Sequence, residues 1–113
     1  YPSANKLFLQ SIIASIEQHL EESEFDLERL SGEMNMSKST LYRKIKAMTG
    51  LTPLDFVRNI KMKRACMMLL ARTQTISEVA YAVGFSNPKY FTKCFKEEFG
   101  MTPTEYQQSH IKV

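Results

Sequence analysis

The sequence predicts an all-α fold: two helix-turn-helix subdomains joined by a long linker helix, about seven helices in all. Three observations predict it. One arrangement of apolar and turn residues occurs twice within 113 residues. Apolar positions in both copies recur at spacings of three, four and seven, the period of a helix with one buried side. Ser, Thr, Asn, Asp, Gly and Pro stand where helices have to start and stop.

The repeat aligns in two registers. At an offset of 49 residues Leu27 pairs with Ile76, Leu30 with Val79, Met34 with Val83, Asn35 with Gly84, Met36 with Phe85 and Ser37 with Ser86. At an offset of 50, Leu41 pairs with Phe91, Ile45 with Phe95, Gly50 with Gly100, Thr52 with Thr102, Pro53 with Pro103 and Phe56 with Tyr106. The extra residue of the second copy falls between Ser86 and Tyr90, beside Pro88, where a turn tolerates an insertion.

The elements follow in order. An amphipathic helix is predicted over about residues 5 to 22, with Leu9, Ile12, Ile13, Ile16 and Leu20 on its apolar side. Each copy then opens with a short helix. In the first, Asp26 is a suitable N-cap before Leu27; in the second, Thr75 and Glu78 have capping-box spacing. These helices stop at Asn35 and Gly84, the residue types that most readily accept a left-handed backbone. After a turn of three to four residues, Ser37 starts the second helix of copy one, and Asn87 followed by Pro88 starts that of copy two. Gly50 and Gly100 end those helices. Thr52-Pro53 and Thr102-Pro103 start the next pair, with Asp55 and Glu105 three residues after each Thr. Residues 53–71 read as one helix of about 28 Å at roughly 1.5 Å per residue. The expected divisions are residues 1–52, 53–71 and 72–113.

Composition narrows the function. Hydrophobic residues make up 43% of the chain, enough to fill a core. No apolar run approaches the roughly 18 to 20 residues that cross a bilayer, and no secretory leader is visible, so a soluble, cytoplasmic location without membrane contact is expected. The chain begins at Tyr1 and not at Met, so a longer parent protein is expected. Cys66 and Cys94 sit among apolar residues with no metal-ligand spacing and are expected as buried free thiols. His19 and His110 lie near opposite ends with no acid or nucleophile at a telling distance. No cofactor, metal or catalytic constellation is expected, which disfavours an enzyme.

The net charge of +3 hides an uneven distribution. Residues 1–31 carry two basic and six acidic groups, residues 32–72 nine basic and two acidic, and residues 73–113 four of each. A basic segment is an electrostatic footprint for a polyanion, and equally a solvated surface. The helical register decides more. With Leu41, Ile45 and Met48 turned inward, Ser39, Tyr42, Arg43 and Lys46 face outward. With Phe91, Phe95 and Phe99 inward, Lys89, Thr92, Lys93 and Lys96 face outward at the offset of 50. Neither outward set contains an acid. This is base-edge and phosphate chemistry on the element that a helix-turn-helix inserts into a major groove.

Arg43 is the leading candidate for a bidentate contact to guanine. Lys89 and Lys93 can reach guanine or phosphate, and Ser39, Tyr42 and Thr92 suit hydrogen bonds to bases or phosphates. The helix starts at Ser37, Asn87, Thr52 and Thr102 present amides that suit phosphate, and Lys38, Lys44, Lys46 and Lys96 add charge. Arg58, Lys61, Lys63 and Arg64 on the linker add charge or are solvated, with Arg64 alternatively an internal anchor. A helical module docking acidic proteins is the rival reading. Single-strand binding is disfavoured because Tyr42 is the one obvious stacking aromatic.

The stretches "GEMNMSKSTLYRKIKAMTGLTPLDFVRNIKMKRACMMLL" and "ISEVAYAVGFSNPKYFTKCFKEEFGMTPTEY" resemble the DNA-binding domain of AraC/XylS-type transcription regulators over about residues 8 to 107. The wording "LYRKIKAMTG" is most similar to the output domain of hybrid two-component regulators. The resemblance implies sequence-specific binding to double-stranded DNA, two recognition helices in successive major-groove segments, upstream sensor and receiver domains, and RNA polymerase as a further partner. It implies base reading by Ser39, Tyr42 and Arg43 in copy one and by Lys89, Thr92 and Lys93 in copy two.

Overall fold

Helix ends in the computed structural model, which describes residues 3–23 and 25–110, fall where nearby side chains can satisfy their backbone groups. The element order is α1 Ala4–Gln18, α2 Leu27–Glu33, α3 Lys38–Thr49, α4 Pro53–Ala71, α5 Ile76–Ala82, α6 Pro88–Phe99 and α7 Pro103–Ser109, with no strand among the described residues. Asp26 caps α2 by accepting the Arg29 amide at 3.0 Å. Thr75 and Thr102 form reciprocal capping boxes with Glu78 and Glu105. Each of these glutamates accepts its partner's backbone N–H, which holds its carboxyl below the usual range.

The turn that defines each helix-turn-helix depends on a left-handed residue. Asn35 has φ 53° and Gly84 φ 86°. Those values reverse the chain within a few residues, and only Gly, or a short amide side chain such as Asn, adopts them at little cost. The turns span residues 34–37 and 83–87, so both copies take the long end of the expected length or exceed it by one residue. Gly50 and Gly100 end α3 and α6 at φ 76° and 75°.

The described residues form two compact units, one of residues 3–20 and 25–60, the other of Glu21–Ser23 and residues 61–110. The first buries Ile12, Ile16, Leu30, Leu41 and Ile45 completely, with Phe25 and α4's Phe56, Val57 and Ile60 closing the cluster. The second buries Met62, Ala65, Leu69, Val79, Ala80, Val83, Phe91 and Phe95 completely. Its rings form a run in which Phe91 lies 5.8 Å from Phe95, and Phe95 lies 4.6 Å from Phe99 and 5.6 Å from Tyr106. Complete burial of one such side chain stabilises by about 1.5–3 kcal/mol, so each unit has a core of its own.

Three expectations need correction. The first helix ends at Gln18, not near residue 22. His19 leaves the helical register with φ −112° and ψ 27°, stacks its ring 4.7 Å from Phe25, and pairs its Nε2 with Glu33 Oε1 at 3.1 Å. Lys61 is not a surface cation: it is 7% exposed, and its Nζ donates to the Glu22 carbonyl at 3.1 Å. Cys94 is a buried free thiol as expected, but Cys66 is only half-buried. Burial pushes both the Cys66 thiol and the Tyr106 phenol up from their usual values.

Burial lowers the pKa of Lys61 from the ordinary lysine value of 10.5, with Glu22 opposing the shift. The unfolded chain therefore holds this proton to higher pH than the folded chain, and the burial cost fades as pH rises toward 10.5. Urea unfolding of the wild type and Lys61→Met across that alkaline range should show the wild type gaining stability relative to the variant. A constant difference would mean that Lys61 is solvated.

Candidate nucleic-acid interface

Two helices carry the predicted contacts. Leu41 and Ile45 are fully buried on α3 and Met48 half-buried, which leaves Ser39, Tyr42, Arg43 and Lys46 exposed on the other side. On α6, Phe91 and Phe95 are fully buried and Phe99 half-buried; Lys89, Lys93 and Lys96 are exposed, with Thr92 half-buried between them. The period of 3.6 residues makes the inward set fix the outward one. Each outward set is assembled on one face within its own unit.

Arg43 donates from Nε to the Ser39 carbonyl at 3.4 Å, which lays the stem along the helix and leaves the Nη groups outside that bond. The cations around it are less equal than the sequence suggests. Lys38 Nζ lies 3.9 Å from Glu28 in an exposed pair of small energetic weight. Lys44 places its Nζ 4.8 Å above the Phe8 ring, where it ties α3 to α1. On α4, Arg58 and Arg64 are half-buried and Lys63 exposed. Arg64 Nη1 lies 3.8 Å from the Met67 sulfur.

The helix starts differ in what they offer an anion. Ser37 accepts the Thr40 amide at 3.2 Å, leaving the amides of Lys38 and Ser39 without an acceptor among the described residues. On α6, Pro88 has no N–H, and Asn87 Oδ1 accepts the Lys89 and Tyr90 amides at 2.9 and 3.4 Å. At α4 the Asp55 amide donates to Thr52 Oγ1 at 3.2 Å. At α7 the Thr102 hydroxyl accepts the Glu105 amide, and the Glu105 carboxylate accepts the Thr102 amide at 2.9 Å. A carboxylate therefore stands where a phosphate at Thr102 would lie.

Sequence reading passes over two features. Tyr90 is 46% exposed beside Lys89, with its ring 6.0 Å from Phe85; an aromatic in the first turn of α6 was the available signal. Tyr42 lines an apolar groove of about 270 Å³ with residues of α2 and α4, which no local pattern announces. Replacing Asn87 with Ala should cost about 0.5–2 kcal/mol in thermal unfolding, since two amides lose their acceptor. Unchanged stability would confine Asn87 to contacts with a ligand.

Comparison with known proteins places these features in a family. A family model described as a helix-turn-helix domain matches residues 30–109. The chain is 38% identical over 108 residues to histidine kinase P4 of Formosa agariphila, covering 96% of this chain and 8% of that protein. It is 33% identical over 102 residues to the MmsAB operon regulatory protein of Pseudomonas aeruginosa, covering 90% of this chain and 33% of the relative. The chain thus spans a third or less of these relatives. Among solved structures, the C-terminal domain of AraT, a response regulator from Geobacillus stearothermophilus, superposes with a TM-score of 0.86 at 27% identity, over 98% of this chain and 92% of that one. The DNA-binding domain of AdpA, a global transcriptional factor solved in complex with a target DNA, superposes with a TM-score of 0.80 at 28% identity, over 90% and 91%.

Proposed function

The chain belongs to the AraC-type helix-turn-helix family, and on that premise we propose that it reads double-stranded DNA to regulate transcription, with α3 and α6 entering successive major-groove segments. The observation that carries this reading is the paired outward face: Ser39, Tyr42, Arg43 and Lys46 on one helix and Lys89, Thr92, Lys93 and Lys96 on the other, each opposite a buried apolar face. Arg43 takes the bidentate guanine contact, Lys89 and Lys93 reach guanine or phosphate, and Ser39, Tyr42 and Thr92 complete the base contacts. The exposed Lys46 and Lys96 flank them toward phosphate.

Phosphate is held by unlike means in the two units. The open amides of Lys38 and Ser39 beside Ser37 suit one phosphate at α3. At α6 Pro88 offers no amide and Asn87 fills those of Lys89 and Tyr90, so the grip there falls to lysine side chains. A contact at Thr52 draws on the start of α4, whereas one at Thr102 requires Glu105 to give way.

The similarity to a histidine kinase along 96% of this chain but 8% of the kinase supports a cytoplasmic output module governed by sensor and receiver segments elsewhere in a longer protein. Bound at a promoter, such a module acts by positioning RNA polymerase. Selection of bound sequences from a randomised duplex of about 25 base pairs tests the reading: two unlike blocks about ten base pairs apart are expected. No enrichment at low salt would overturn it.

Two variant measurements refine the roles. Arg43→Ala should relax preference within one block at a cost of about 1–3 kcal/mol, while uniform weakening across all sequences would make it a phosphate contact. Lys46→Ala and Lys96→Ala should each lower the slope of log affinity against log salt by about 0.9, and Lys61→Met should leave it unchanged. Equal effects from all three would mean that net charge alone governs binding.

A further inference from the structure

The groove beside Tyr42 differs in chemistry from the rest of the reading face. It measures about 270 Å³ and is lined by Phe25, Leu27, Leu30, Tyr42, Leu54 and Val57, with no cation in its walls. Its one charged wall residue, Asp26, is already committed to the Arg29 amide, and Thr52 Oγ1 accepts the Asp55 amide. Tyr42 at 42% exposure and Leu54 at 66% mark its mouth, while Phe25, Leu30 and Val57 form a buried floor. Apolar surface of this kind, left open on a water-facing side, is unfavourable unless something covers it.

The groove is continuous with the base-reading face because Tyr42 belongs to both. Successive residues of a helix turn by about 100°, so Tyr42 lies some 60° from Ser39, on the flank nearer the buried Ile45. Within the apolar walls a phosphate would lose water without gaining a cation, so the phosphate contact proposed at Thr52 belongs to the amides at the start of α4 and not to the groove's interior. The apolar group that the edge of a base pair presents in the major groove is the C5-methyl of thymine. We propose that the Tyr42–Leu54 groove receives a thymine methyl group, so that the first unit reads thymine by apolar contact beside the base read by Arg43. The inference rests on the DNA-reading proposal and deepens it.

The test uses the 113-residue chain and its selected duplex, with each thymine of the α3 block replaced in turn by deoxyuridine, which removes the methyl alone. One position should lose affinity by about three- to five-fold, the scale of one buried methyl. That loss should disappear in Tyr42→Ala and in Leu54→Ser, the second of which alters a largely exposed side chain and keeps the test sound if the first perturbs folding. A selected α3 block without thymine, no sensitive position within it, or a sensitivity retained in both variants would overturn the inference while leaving sequence-specific binding intact. Failure to select any sequence would overturn the DNA-reading proposal itself.

Discussion

The structure depends on the burial of one apolar face on each of two helices. Leu41 and Ile45 on α3, and Phe91 and Phe95 on α6, are excluded from solvent. Once that face is anchored, the helical period leaves no freedom in what points away from it. The base-reading candidates therefore need no stabilising contact of their own. Arg43, Lys89, Lys93 and Lys96 can vary while the frame holds, which is how a fold separates the residues that make it from the residues that use it.

The two units reach the same frame by different packing. The first closes an aliphatic core of Ile12, Ile16, Leu30, Leu41 and Ile45 under Phe25, and its N-terminal helix is held at the far end by His19 on Phe25 and Glu33. The second relies on a run of rings from Phe85 through Phe91, Phe95 and Tyr106 to His110. Their helix starts diverge as well, since Ser37 leaves amides open and Asn87 with Pro88 does not. A repeated sequence has thus kept the geometry and changed the local means of holding it.

Much of this was legible in the sequence because capping and turn chemistry are local. Asp26, Thr75, Ser37, Asn87, Gly50 and Gly100 each announce a helix end within four residues, and the structure uses all six. What escaped was long-range. The end of α1 is decided by Phe25 and Glu33, partners six and fourteen residues beyond His19. Lys61 looks like a solvated cation until its spacing of four from the buried Val57 and from the buried Ala65 is noticed; that periodicity was available and outweighs its charge. The groove beside Tyr42 is assembled from α2, α3 and α4, so no single segment carries its signal.

The most direct measurement transfers one outward face onto the other frame. Replacing Lys89 by Ser, Thr92 by Tyr and Lys93 by Arg, with Lys96 kept, gives α6 the outward residues of α3 at the offset of 50. Bound-sequence selection on this chain should return in the second block the bases that Ser39 and Arg43 read in the first, at the original spacing and with the helical signal of the wild type intact. The thymine read beside Leu54 should not be repeated, because Thr104 stands at that offset. Selection of the original two unlike blocks by a folded chain would contradict the account, because specificity would then lie outside the faces that the buried cores fix.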